Sequence, residues 1–378
     1  MKKLRVAFCL RDMQMGGVES VLIRTLDELQ KNKNIELNII TYAKIKNPVF
    51  RRYFDEHKNI KTCSLYPCSW LSTKLPHFVF SRLIVHLLRG VYRFIKRPFS
   101  IRKLKNYDVF IDYHDFGFCD ELKYIKCAKK IAWFHSSWNV FVNRGFIKFL
   151  KHYDKFVVLT DDFKREFIKK YPKYKNKILR IYNPVDIKQI KAGGNEKINK
   201  IIGDYFCCVS RLSYDKDIET VLRAFDLFWN KNKKPDVKMV FVGDGNWAKY
   251  YQSIANGLSA KNQFVFTGVM SNPFVVMRKA MANILSSYGE GLPTTLIESM
   301  IVGTLNISSD CKCGPREILL DGRAGILFEP GNAKELAKCM ADVYNKKLNS
   351  KKMIANATDS LNRFESKKIV DEIISLIS

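Results

Sequence analysis

Short apolar strands alternate with amphipathic helices twice along this chain, and that repeated alternation leaves few folds open. Residues 4–10 read as a first strand, Gly16-Gly17 opens a helix running to about Leu29, and 35–41 gives a second strand. Further strands are expected at 109–112, 130–134 and 156–159. A second set follows at 205–209, 237–242, 263–266, 282–286, 304–308 and 325–328, with helices between them, including one over 217–229. Such alternation predicts α/β architecture with a doubly wound parallel sheet. Two sets in tandem predict two domains that bind ligands at the carboxyl ends of their strands, facing an interdomain cleft. The polar, glycine-containing stretch 191–197 reads as the linker, dividing a first domain over 1–190 from a second over 200–360. Residues 361–378 form a terminal segment whose helix is expected over 365–377.

Composition narrows the partners. A chain of 378 residues with 47% apolar content buries sizeable cores, and its length favours two domains. The formal charge of +28 points to anionic partners: nucleic acid, an anionic membrane surface or anionic substrates. No apolar run is long enough for a transmembrane helix. Lys2-Lys3 before Val6-Ala7-Phe8-Cys9-Leu10 imitates a signal peptide, but Arg11 and Asp12 end the run early, so it reads as a strand. The ten cysteines form neither paired CxxC motifs nor a Cys/His zinc pattern, which favours reduced thiols.

Chemistry concentrates in Ser287-Tyr288-Gly289-Glu290-Gly291-Leu292-Pro293-Thr294-Thr295-Leu296-Ile297-Glu298. Two carboxylates eight apart bracket a Gly/Pro turn, with a helix opening near Pro293. Free N–H groups at such a helix start attract anions. Glu290 in the loop mouth and Glu298 in the helix are better placed to accept hydrogen bonds from hydroxyls attached to that anion, which suggests a sugar or a ribose. Arg211 and Lys216 follow a strand and precede a helix, and two such cations suit a nucleotide diphosphate. Gly16 and Gly17 lie between strand and helix, where a missing side chain lets backbone approach phosphate. They do not form GxGxxG, which weakens a nicotinamide reading.

These segments together resemble the EX7E signature and accompanying motifs of the retaining glycosyltransferase 4 family. Met15-Gly16-Gly17-Val18-Glu19-Ser20 resembles its GGxE loop, and Val209-Ser210-Arg211-Leu212-Ser213-Tyr214-Asp215-Lys216 its second-domain cation segment. Asn183-Pro184-Val185-Asp186, Phe266-Thr267-Gly268-Val269 and Gly314-Pro315-Arg316-Glu317-Ile318 fall in the matching order. The resemblance is strong over about 200–345 and weaker over 25–180. It implies a GT-B fold of two Rossmann-like domains, with the terminal helix returning to the first. It also implies a nucleotide-sugar donor held by Gly16, Gly17, Arg211, Lys216, Gly268, Gly291, Leu292, Thr294, Thr295 and Glu298. Glu290, His135, Arg211 and Lys216 would serve the reaction. His135 resembles the first-domain histidine that faces the donor sugar, with His114 a weaker competitor. The family uses no metal or other cofactor, and no DxD-type metal motif is visible; Asp161-Asp162 reads as a helix cap. Front-side substitution with retention is the implied mechanism.

One segment stands apart from that chemistry. No Asp or Glu lies between His57 and Tyr107, and Arg82, His86, Arg89, Arg93 and Lys96 step by helical offsets along one face. Phe80, Leu83, Ile84, Leu87, Leu88, Val91, Phe94 and Ile95 fill the remainder, so 74–105 reads as a basic amphipathic segment docking on an anionic membrane. The bland reading is a domain helix with its apolar side in the core. The combined expectation is a cytoplasmic hexosyl- or N-acetylhexosaminyltransferase, peripheral to the inner face of the cytoplasmic membrane. It would use a UDP-linked sugar and a lipid-linked glycan acceptor such as lipopolysaccharide core or a polyprenyl-linked saccharide. No nucleic-acid recognition module is visible, so nucleic acid is not the expected partner. The competing class is a polyanion- or nucleic-acid-binding protein without transferase activity.

Overall fold

The computed structural model describes residues 3–14, 16–66, 79–125, 128–196 and 203–378. Seven strands build the first sheet: β1 (Leu4–Leu10), β2 (Ile35–Thr41), β3 (Lys61–Ser64), β4 (Val109–Asp112), β5 (Lys129–Trp133), β6 (Lys155–Val158) and β7 (Ile178–Arg180). Six build the second: β8 (Asp204–Val209), β9 (Val237–Val242), β10 (Phe264–Phe266), β11 (Asn283–Leu285), β12 (Asn306–Ser309) and β13 (Ile326–Phe328). Their spatial orders are β3-β2-β1-β4-β5-β6-β7 and β10-β9-β8-β11-β12-β13. β1 pairs parallel with both β2 and β4, and β8 with both β9 and β11. The strand order reverses at those two places, and ligands bind doubly wound sheets at such switch points.

The central strands are buried on both faces, as parallel sheets require. In β1, Val6, Phe8 and Leu10 join one apolar cluster while Ala7 and Cys9 join another. The first of these clusters continues through Ile369 and Ile373 into Leu285, Leu296 and Ile297, so one core layer is shared by both sheets. The terminal helix Ser366–Ile377 supplies the bridge: Lys129 donates to the Leu376 carbonyl at 2.5 Å, and Arg180 meets Glu372 at 3.5 Å. A cavity of about 780 Å³ lies beside this helix, lined by Lys129, Lys155, Arg180 and Asp371, away from the switch points.

The linker expectation needs correction. Residues 191–194 are not an open connection but the end of helix Ile187–Gly194, which packs on helices Phe274–Lys279 and Thr294–Ile301. Its glycines serve close approach: a Cβ on Gly193 would lie 2.9 Å from Phe274, and one on Gly194 would lie 2.9 Å from Val302. Residue 197, the end of the expected linker, lies outside the described residues. Gly194→Val should therefore destabilise the protein by about 1–3 kcal/mol through overpacking, readable as a lower midpoint in urea.

The basic segment also differs from expectation. It is helical over Val79–Lys103, but Arg93 does not join a solvated cationic face. Its guanidinium lies 4.5 Å from the Tyr42 ring centroid, and Arg97 sits 5.8 Å from that of Tyr124. Between them and the sheet, buried Glu121 accepts from the hydroxyls of Tyr42 and Tyr66, the latter at 3.0 Å. Buried Ser100 donates to the Leu65 carbonyl at 3.1 Å. Polar groups thus share the inner face with Tyr92 and Ile101, which pack on the core, while many of the helix's described apolar side chains face outward. Leu87 is 68% exposed, Phe94 75% and Phe99 60%, with Ile84, Leu88, Val91 and Ile95 exposed alongside. The side chains of Phe80, Arg82, Leu83, His86 and Arg89, and residues 74–78, lie outside the described set. No helix among the described residues is long and apolar enough to cross a membrane.

Candidate active site

At the second sheet's switch point, β8 ends in a loop that carries Arg211 and a short turn, Tyr214–Lys216. Asp217, at φ 46°, caps the helix Ile218–Lys231 by accepting from the Thr220 N–H. That cap swings Lys216 back over the loop following β11. Lys216 Nζ lies 2.6 Å from Glu290 Oε1, with side chains only 15% and 11% exposed. Ser287 Oγ donates to the same carboxylate oxygen at 2.6 Å. Asp215 stands 3.8 Å from Lys216 and 4.0 Å from the more exposed Arg211. Burial pushes its carboxyl up, but the Ser213 bond and both cations outweigh that, leaving it below the usual range.

Glycines bring the backbone layers of this mouth together. A Cβ on Gly243 would fall 2.0 Å from the Ser210 carbonyl and one on Gly245 2.3 Å from that of Leu212. The Gly243 N–H donates to the Gly268 carbonyl at 2.8 Å, with Gly268 itself at φ 72°. Helix Thr294–Ile301 begins directly after Pro293, so Thr294 and Thr295 supply its first free N–H groups, just past buried Leu292. Glu298 lies one turn in. Burial raises its carboxyl, and Arg24 on the first domain's helix Gly17–Leu29 opposes that shift.

The first domain closes the opposite side. His135 follows β5, and its N–H donates to Asp115 Oδ1 at 2.7 Å. Its ring packs on Tyr113, centroids 4.5 Å apart, and its Nε2 is buried with no partner among the described residues. Burial, then nearby His114, pushes its pKa down to about 3, so it presents a neutral imidazole. The two domains meet here: a Cβ on Gly291 would fall 2.0 Å from the His135 carbonyl oxygen, and one on Gly289 3.2 Å from Ser137. Only glycine at 291 allows that approach. His114 occupies the same corner, so the two histidines the sequence set in competition stand together.

Gly16 begins the helix Gly17–Leu29 in extended backbone, but its side-chain space is filled: a Cβ would lie 2.7 Å from buried Glu19's Oε2. A phosphate bound there would have to displace or neutralise that carboxylate. Gly17 has open space. Asp161-Asp162 is not the helix cap; Thr160 accepts from the Phe163 N–H at 3.2 Å, and both aspartates fill the first turn. Among the described residues no group of three or more His, Cys, Asp or Glu is placed to hold a metal. The eight described cysteines are free, and burial pushes thiols such as Cys311 up to about 12.

Sequence reasoning missed several contributors. Ser287 lies in the singled-out segment without a role assigned to it, and Asp115 carries no motif and is recognisable only by position. Gly243-Asp244-Gly245 after β9 was a readable signal. Glu317 is an interdomain buckle, accepting from the Asp162 N–H at 2.8 Å and the Tyr182 hydroxyl at 2.6 Å, beside a Lys312–Glu166 pair at 2.6 Å.

Two family profiles match this chain: "Glycosyl transferases group 1" over residues 196–360 and "Glycosyltransferase Family 4" over 15–189. Between them they cover both domains. The chain belongs to the family 4 glycosyltransferases. The lipopolysaccharide 1,6-galactosyltransferase of Salmonella typhimurium is 31% identical over 156 residues, 40% of this chain and 42% of that protein. The GalNAc-alpha-(1->4)-GalNAc-alpha-(1->3)-diNAcBac-PP-undecaprenol alpha-1,4-N-acetyl-D-galactosaminyltransferase of Campylobacter jejuni is 30% identical over 170 residues, 45% of this chain and 46% of its own. The chain spans under two thirds of the length of such curated relatives. Anabaena HepE, solved in complex with UDP, superposes with a TM-score of 0.74 at 16% identity, covering 99% of both chains. That likeness shows the GT-B fold, in which this family 4 member places its Lys216–Glu290 pair at the interdomain mouth.

Proposed function

We propose that this glycosyltransferase moves a hexose or N-acetylhexosamine from a UDP-sugar, with retention at the anomeric carbon, to a lipid-linked glycan at an anionic membrane surface. The observation that carries the reading is the Lys216–Glu290 pair, set between exposed Arg211 and the first N–H groups of helix Thr294–Ile301, opposite neutral His135. Donor diphosphate suits that corner: Arg211 grips oxygens as a fork, Lys216 supplies a point charge, and Thr294 and Thr295 direct N–H groups at it. When Lys216 turns to phosphate, Glu290 is released to accept from hydroxyls of the transferred sugar. Glu298 then takes the ribose hydroxyls. His135, neutral, exchanges a hydrogen bond with the sugar rather than a charge.

In the reaction the bond from the anomeric carbon to the diphosphate oxygen breaks, and the acceptor oxygen bonds that carbon on the same face. The acceptor's proton passes to the departing phosphate oxygen. Charge accumulates on that phosphate, where Lys216 and Arg211 stabilise it most. The reading requires no metal or other cofactor. For the acceptor, support comes from the relatives' lipopolysaccharide and undecaprenyl-linked substrates and from the helix Val79–Lys103. Its exposed Leu87, Phe94 and Phe99 beside Lys96 and Arg102 match an anionic bilayer interface. On this reading the enzyme works at the cytoplasmic membrane's inner face.

A thermal-shift panel of UDP, GDP, ADP, CMP and their sugars tests the donor site. UDP at 100 times its dissociation constant should add about 2.7 kcal/mol of stability. Arg211→Ala should weaken UDP binding about 10- to 100-fold, the loss of one charge-assisted contact. Absence of any nucleotide shift, together with salt-sensitive RNA binding, would instead favour the polyanion reading.

A further inference from the structure

We propose that Asp115 is a positioning residue whose carboxylate fixes the His135 lip of the first domain against the Glu290 loop of the second. The inference rests on the transferase reading. Asp115 and Phe116 both occupy the left-handed region, at φ 52° and 62°. Two successive non-glycine residues there are costly, and such strain persists only where the surroundings over-determine it. Phe116 supplies part of that determination. Its buried ring lies 5.4 Å from Tyr153 and 5.5 Å from both Phe146 and Phe156. So wedged, the turn delivers Asp115 to the carboxyl end of β4, beside the end of β5.

Both carboxylate oxygens are then spent on one short segment. Oδ1 accepts the His135 N–H at 2.7 Å, and Oδ2 accepts the Ser136 hydroxyl. The residues they hold touch the other domain: a Cβ on Gly291 would meet the His135 carbonyl and, at 3.3 Å, that of Ser136, while the next residue, Ser137, abuts Gly289, so the segment flanks Glu290 on either side. A shift of the lip by a fraction of an ångström would therefore move His135 relative to Glu290, and misplacement of about 1 Å at a reacting centre costs on the order of 10²-fold. Asp115 acts through those residues and need not meet the substrate.

Asp115→Gly and Asp115→Asn separate this role from its competitors. Glycine accepts the left-handed backbone freely, so Asp115→Gly folds while losing the carboxylate. Asparagine tolerates that backbone, accepts the His135 N–H through Oδ1 and offers Nδ2 to Ser136 Oγ. With UDP-glucose or whichever UDP-sugar the panel selects, Asp115→Gly should lower kcat about 10- to 100-fold, with the dissociation constant for UDP changed less than about threefold. Asp115→Asn should recover most of the loss. In parallel, NMR of histidine-labelled protein, with His135→Gln for assignment, reads the lip directly. The His135 titration should move up in Asp115→Gly toward the ordinary histidine value of about 6.5, and return in Asp115→Asn. Undiminished kcat or an unmoved His135 titration in Asp115→Gly would overturn the proposal. So would Asp115→Asn being as inactive as Asp115→Gly, which would mean the charge itself acts in the chemistry. Failure of wild type to bind UDP would strike the transferase reading instead, and the histidine titration would still decide the positioning.

Discussion

Lys216→Met should lower turnover by about 10²–10³, the scale seen when a preorganised group facing transition-state charge is removed. The same change should destabilise the folded protein. Lys216 is 2.6 Å from Glu290, and both side chains are mostly buried. Removing the cation leaves a carboxylate held by Ser287 alone among the described residues. Breaking a buried pair from one side costs about 3–5 kcal/mol, and the low end applies here because the mouth opens to solvent. The second carboxylate can be neutralised in turn. Lys216→Met with Glu290→Gln should recover stability, because no unpaired charge remains, yet recover no turnover. Urea denaturation and initial rates on the four proteins of that cycle separate the two quantities. A single variant with normal turnover would remove Lys216 from the reaction. A double variant whose loss of stability equals the sum of the two single losses would show that the pair has no energetic coupling.

Phe94→Ser with Phe99→Ser should weaken binding to vesicles containing phosphatidylglycerol by at least about 100-fold. Full burial of a phenylalanine side chain is worth about 1.5–3 kcal/mol, so two at the low end give that factor. Both rings stand outward on the helix Val79–Lys103, at 75% and 60% exposure. Their removal uncovers no core, so the variant should keep its thermal midpoint and its UDP affinity. Binding should also fall as salt screens Lys96 and Arg102. Cosedimentation with anionic and neutral vesicles measures both effects. Equal binding by the variant and wild type would exclude this face as the docking surface.

Much of the fold was legible because parallel strands buried on both faces are short, nearly continuous apolar runs. β2, β4 and β9 begin and end where the sequence places them. β3, Lys-Thr-Cys-Ser, escaped because its residues are exposed or only half buried at the sheet edge, so burial wrote no apolar signature. β7 escaped for its brevity, three residues ending in Arg180. Glycine was misread once: Gly193 and Gly194 spoke for an interdomain linker, whereas they let a helix lie close on two others. The orientation of the helix Val79–Lys103 was left open, since periodicity separates an apolar from a basic side without saying which is turned inward. The Glu121–Tyr42–Tyr66 cluster decides that, by offering Arg93 and Arg97 a polar place against the sheet.

By itself, the sequence determined the two doubly wound sheets and the neighbourhood of Arg211, Lys216, Glu290 and Glu298, because strand ends and a helix start are local and place their own residues. What touches what across the mouth was decided only in three dimensions. Lys216 against Glu290, Asp115 beneath His135 and Gly291 against the His135 carbonyl join segments well apart in the chain. The first two depend on which strands lie side by side within a sheet, and the last on how the two sheets are packed through their shared core. No local pattern of residues encodes that packing, because each partner's signal lies on a different element.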